Sequence, residues 1–240
     1  MESIAFIKER ATKTIAAATQ LAPQWTWQEK TLPQMQAGLT AIIGDDQATP
    51  PVIGQEQTTR AAERAMRDAR ALWDQSLDQL HRWTMQGIAM AKSRYRNDPV
   101  KMALVEDLTA RGDSRPAILD EALDWETAWN EAEPAWCPLP ANTLLAFSAL
   151  RKQCLEGLQA DYKTKASAWR EQAGLLTELA ATLEDINVAW YGDATKVFAA
   201  GTAEGDMIRG TIPTTYTPAA NNKPAPAPTP TPATSTSKTA

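Results

Sequence analysis

His81 is the single histidine of this 240-residue sequence, and Cys137 and Cys154 are its two cysteines. A Cys–His or Ser–His–Asp mechanism needs an imidazole beside its nucleophile, so His81 would have to serve it. His81 lies four residues after Leu77 and seven before Ile88. That places it at the edge of an apolar helical stripe, as a boundary residue. A zinc site needs three or four ligands, which one histidine and two distant cysteines do not supply. A di-iron bundle site uses two Glu-x-x-His pairs, and "DQLH" at 78–81 is a lone, imperfect half. The glycines form no phosphate loop of the Walker or dinucleotide type. The expectation is a protein that is not an enzyme and carries no cofactor or metal.

The stretch "VFAAGTAEGDMIRGTIPTTY", residues 197–216, holds the next set of chemically capable side chains. Gly201 fits a left-handed helix stop, and Thr202 fits an N-cap with Glu204 and Asp206 in the first turn behind it. Two acids there oppose phosphate binding. Met207 and Ile208 are expected to pack back on the bundle, Arg209 to pair with an acid, and Ile212 and Tyr216 to anchor an extended docking segment. "RGD" at 111–113 reads as a helix stop with Gly112 as its cap. The region between Asp78 and Asp98 is basic (Arg82, Lys92, Arg94, Arg96) and that between Glu106 and Glu133 is acidic. The basic run reads as serving its own helix end and the acidic run as a solvated face; the sharper reading is complementary contact, within the bundle or between subunits. "KSRYR" is a thin footprint for RNA, so no nucleic acid is expected as partner.

Nine tryptophans stand against three phenylalanines. A tryptophan is large and its N–H needs a partner, which suits wide interhelical gaps and interfaces. Trp125 and Trp129 are one helical turn apart and share a face. With Trp136 and Trp190 they are the expected aromatic part of an interaction surface. "ALDWETAWNEAEPAW" and "LEDINVAWYGDATKVF" resemble one another when Trp129 is set on Trp190, a weak sign of a duplicated helical unit.

The elements that must position these residues are helices. Thr58–Asn97 contains no proline, and Ala62, Met66, Ala69, Trp73, Leu77, Leu80, Trp83, Gly87 and Ala91 recur at steps of three and four, which predicts one amphipathic helix about 60 Å long. "NDP" at 97–99 ends it, and Pro99 opens another. Ser114 and Pro116 start a helix carrying Ile118, Leu119, Ala122, Trp125 and Trp129. From Ala141 to Pro213 there is again no internal proline. Leu144, Phe147, Cys154, Leu158, Tyr162, Trp169, Ala173, Leu176, Leu183, Trp190 and Val197 predict one very long helix, with a bend placed at Gly174. A shorter helix is expected over 32–43, ending at Gly44, with "DDQATPPVIGQ" as a loop.

Composition agrees. The chain has 11 glycines and 16 prolines, six of them at or beyond Pro218, so the body is poor in strand and turn signals. The expected fold is all-α: an elongated antiparallel bundle of three to five helices, some of 40 residues or longer. Residues 1–22 form an N-terminal arm or weak helix, 23–200 the bundle, 201–218 an irregular docking or capping segment, and 219–240 a disordered Pro/Thr/Ala-rich tail. The net charge of −5 argues against a nucleic-acid binder. No apolar run reaches the roughly 20 residues of a membrane span, and the N-terminus lacks the pattern of a signal peptide. Cys154 lies about 13 residues into its helix, some 20 Å from the loop of Cys137, too far for a disulfide. Free thiols fit a cytoplasmic location. The leading expectation is a non-catalytic structural or interaction protein whose partner is itself, as a homo-oligomer, or another protein. A bundle binding a small apolar ligand in a Trp-lined cavity, or a helical membrane-active effector, are the alternatives.

Overall fold

The computed structural model describes residues 3–27, 32–140 and 142–212. Tyr216 and the Pro/Thr/Ala-rich tail, expected to be disordered, lie outside them. The fold is an all-α, elongated helical bundle. Helices α1 (Ile4–Leu21) and α2 (Leu32–Ile43) come first. A two-residue antiparallel pair, β1 (Gly44–Asp45) with β2 (Val52–Ile53), then turns the chain. The 40-residue α3 (Gln55–Arg94) follows, then α4 (Pro99–Val105) and α5 (Arg115–Ala132). Helix α6 (Leu144–Lys152), a π-helical turn (Gln153–Leu158) and α7 (Gln159–Val197) run on without a break. Helix α8 (Ala203–Arg209) closes the described chain. Among the described residues no helix is long and apolar enough to cross a membrane.

Local chemistry sets these boundaries. Ser3, Asp98, Ser114, Thr143 and Thr202 each accept a backbone N–H of the first turn that follows, satisfying donors that the helix itself cannot. Gly44 takes φ +86° between α2 and α3, and a Cβ on it would lie 2.5 Å from the Val52 carbonyl oxygen. What reads as a loop in the sequence therefore holds a tight strand pair. Gly112 does not cap a helix, because α4 stops at Val105. It sits at φ +123° in the loop before α5. The 54-residue run from Leu144 to Val197 is about 80 Å long. Its irregularity is the π-turn at Gln153–Leu158, and Gly174 is plain helix.

The long helix is shared by two lobes. In the first, the C-terminal half of α3 and all of α5 run alongside one another, held by Asp74–Arg115, His81–Glu121 and Arg94–Glu133. Helix α6 returns against α5, with Arg151 paired to Glu126. Trp73, Leu77, Leu80, Trp125, Trp129, Phe147 and Cys154 form part of one continuous apolar core. In the second lobe α1 and α2 pack on the C-terminal half of α7, and α8 folds under them. Between the lobes, α3 and α7 form a two-helix neck. No α3 residue from Gln55 to Asp68 is buried, and Ala166 alone is buried on α7 from Gln159 to Leu175. The neck is tied where the Gln55 amide donates to the Gln172 carbonyl (3.1 Å) and side-chain oxygen (2.8 Å). The charge segregation of the sequence is spent inside the first lobe. Lys92 donates to the Glu106 and Leu108 carbonyls (2.8 and 2.9 Å), and Arg94 and Lys101 both meet Glu133.

Candidate interaction surface

The expected interaction residues divide sharply. Trp125 and Trp129 stack at 5.4 Å between ring centroids and, with Trp190, are fully buried. They fill core and present no surface to a partner, because a helix with apolar residues at that spacing turns them inward. Trp136 is half-buried. Its carbonyl accepts the Trp129 indole N–H at 2.9 Å, its ring meets Tyr95 edge-on, and Arg94 lies over it at 5.2 Å. Ile208 is buried and Met207 packs beside it against the Trp190 cluster. Among the described residues Arg209 meets no acid; its Nη1 donates to the Gly205 carbonyl at 2.9 Å, since the helix curls the side chain back on its own first turn. Gly201 has the expected left-handed φ of +81°. Ile212 is 39% exposed. The structure thus groups Trp190, Met207 and Ile208 in one lobe and Trp125, Trp129 and Trp136 in the other.

His81 Nδ1 lies 3.1 Å from Glu121 Oε2. Glu121 is buried, and its other oxygen accepts the backbone N–H of Arg111. The pair fastens the loop between α4 and α5 to α3. Among the described residues no three His, Cys, Asp or Glu side chains come together to hold a metal ion. Cys137 is exposed and Cys154 buried, both as free thiols. Burial pushes the Cys154 thiol up to about 11, because a thiolate is poorly solvated there. A pocket walled by several tryptophans, Trp25, Trp27 and Trp190, has a volume of about 160 Å³, below the roughly 300–1,000 Å³ of most ligand sites.

A furrow runs along α5 and the α6–π–α7 run. On α5 the lining residues Pro116, Leu119, Leu123, Thr127 and Asn130 recur at steps of three and four, so they share one face. The opposite bank carries Leu145, Ser148, Leu155 and Gln159. Near Pro134 and Leu145 the furrow widens to a hollow of about 600 Å³. Near Pro116 and Leu155 it holds a second hollow of about 420 Å³, walled also by Trp73 and Arg115. There the Arg115 guanidinium lies 4.3 Å from the Trp73 ring centroid and bonds Asp74. The Arg151–Glu126 ion pair, itself mostly buried, bridges the banks at the first hollow, whose wall includes Glu126. Leu145 is 83% exposed and Leu123 46%. These leucines escape the sequence reading because it follows a single stripe through Leu144 and Phe147. "LLAFSALRKQCLEGL" carries a second stripe, Leu145–Leu155, on the neighbouring face. Comparison with protein-family models, with curated proteins and with solved structures finds no match.

Proposed function

We propose that this is a non-catalytic structural protein that self-associates through the α5–α6 furrow. The observation that supports it is Leu145, standing 83% exposed beside a hollow of about 600 Å³. A projecting side chain next to a recess is self-complementary. Two copies related by a two-fold axis would each seat Leu145 in the other's furrow, the arrangement of an isologous dimer. Burying a leucine side chain contributes about 1.5–3 kcal/mol. The furrow measures roughly 25 Å along α5 and about 20 Å across two helices. That is ~500 Å² per copy against the ~800 Å² of a standard stable interface, so the assembly is reversible. Two free cysteines support a reducing, cytoplasmic setting.

Light scattering over about a hundredfold range of concentration tests this. The mass should rise from 26.2 kDa toward twice that value. Leu145→Asp should hold the protein monomeric without loss of helicity, because the side chain touches solvent in the single copy. A constant monomer mass for the parent chain would remove the proposal.

A further inference from the structure

The second lobe carries a small pocket whose walls are rings. Trp25, Trp27, Trp190, Pro33 and Met35 contribute to its lining and enclose about 160 Å³, some five times the ~30 Å³ share of one water in the liquid. Trp27 and Trp190 are buried, while Trp25 is half-buried and Pro33 exposed. The walls are braced from behind. Trp25 sits 6.2 Å from Trp190 and meets Phe198 edge-on at 6.0 Å, and the Trp27 indole donates to Asp193 at 2.9 Å. Pre-set aromatic walls with little polar lining suit a proline-rich strand, whose rings fill the slots and whose stiff backbone loses little entropy on binding.

The chain supplies the composition of such a strand. Pro224, Pro226, Pro228, Pro230 and Pro232 alternate with alanine and threonine. At three residues per turn, a polyproline helix of this sequence would set Pro224 and Pro230 on one edge, and Pro226 and Pro232 on another. The described chain leaves the fold at Ile212, just past Ile208, which belongs to the same buried cluster as Trp27 and Trp190. From there to Pro224, at about 3.1 Å per residue, the chain reaches over some 35 Å, ample to return to its own pocket. A tether that short gives a local concentration in the millimolar range, so weak contacts suffice. We propose that the Pro224–Pro232 segment docks in the Trp25–Trp27–Trp190 pocket of its own chain.

The test uses the full chain and its nine indole N–H resonances, with Trp25→Phe to assign Trp25. Replacing the five prolines by alanine should move the signals of Trp25 and Trp27 and leave those of Trp125 and Trp129, in the other lobe, in place. Adding a synthetic peptide of residues 219–232 to that variant should move them back. Unmoved Trp25 and Trp27 signals would overturn the inference. So would a Trp25 signal in the parent chain that changes on dilution, since the occupant would then be the tail of a second copy.

Discussion

The two lobes hang on the same long helix yet are built on opposite plans. The first has one unbroken apolar cluster running from Trp73 to Leu158. It too buries atoms without a partner among the described residues, the indole N–H groups of Trp73 and Trp125 and the amide of Asn142, but these do not divide it. The second lobe has two clusters, one around Ile7, Ile42 and Leu183, the other around Leu21, Met35 and Trp190. What separates them is polar. On α1 the fully buried Thr14 falls between Ala11 and Ala17, and on α7 the fully buried Asn187 falls between Leu183 and Trp190. Arg10 pairs with Glu184 one turn earlier, and among the described residues Thr14 Oγ1 and both Asn187 amide atoms have no partner. A buried polar group without a hydrogen bond costs roughly 1–3 kcal/mol on mutational scales. One lobe is thus stabilised by dense aromatic packing. The other gives up stability for a polar layer that fixes how α1 sits against α7.

That contrast can be broken or sharpened. The largest effect expected is from Trp129→Ala, which removes a ring stacked on Trp125, edge-on to Phe147, and bonded to the Trp136 carbonyl. About 3–5 kcal/mol should be lost in urea unfolding, with hydrogen exchange accelerated in α5 before α1. Equal acceleration in both would mean that the lobes unfold as one unit. Next in size is a pair of glycines. A Cβ on Gly87 would lie 2.8 Å from the buried Trp125 ring, whereas one on Gly174 meets nothing within 4 Å. Gly87→Ala should cost about 2 kcal/mol by overpacking, and Gly174→Ala in the neck should raise stability by about 0.5–1 kcal/mol. If both raise the melting midpoint, the first lobe is less tightly packed than its geometry implies. Comparable to the neck glycine is Asn187→Leu, expected to stabilise the second lobe by about 1 kcal/mol as two unpaired amide atoms leave the core. Slower amide exchange in α1 would report it. Faster exchange would show that the layer holds ordered water and earns its place.

Much of the helical frame was legible in the sequence. Steps of three and four through Trp73, Leu77 and Leu80 predict the buried face of α3, and Ser114 and Thr202 act as caps as expected, while Asp98 caps α4 unannounced. Pattern reading weakened where small or polar residues took buried places. Ala194 is buried where Val197, 53% exposed, had been expected, because the helix is leaving the core at its last turn. Thr14 and Asn187 carry no apolar signal at all. The furrow was hidden because a helix with two apolar stripes looks, to periodicity, like one with a single wide stripe. The fate of the tryptophans turns on whether a third helix covers their face, and composition does not say that.

The π-turn at Gln153–Leu158 has a consequence for how this chain tolerates change. An i→i+5 turn winds in one residue more than an α-turn uses, so every side chain downstream is rotated by about 100°, the step of one residue. Phe147 and Trp190 lie on one continuous helix, yet their phases are offset by that residue. Loss of a single codon here would leave a regular helix of nearly the same length and unchanged composition. It would also swing α1, α2 and the tryptophan pocket about a quarter turn away from the furrow. In this protein the phase of α7 relative to α6 is a counting property of six residues, two of which, Cys154 and Leu158, are also buried in the first lobe.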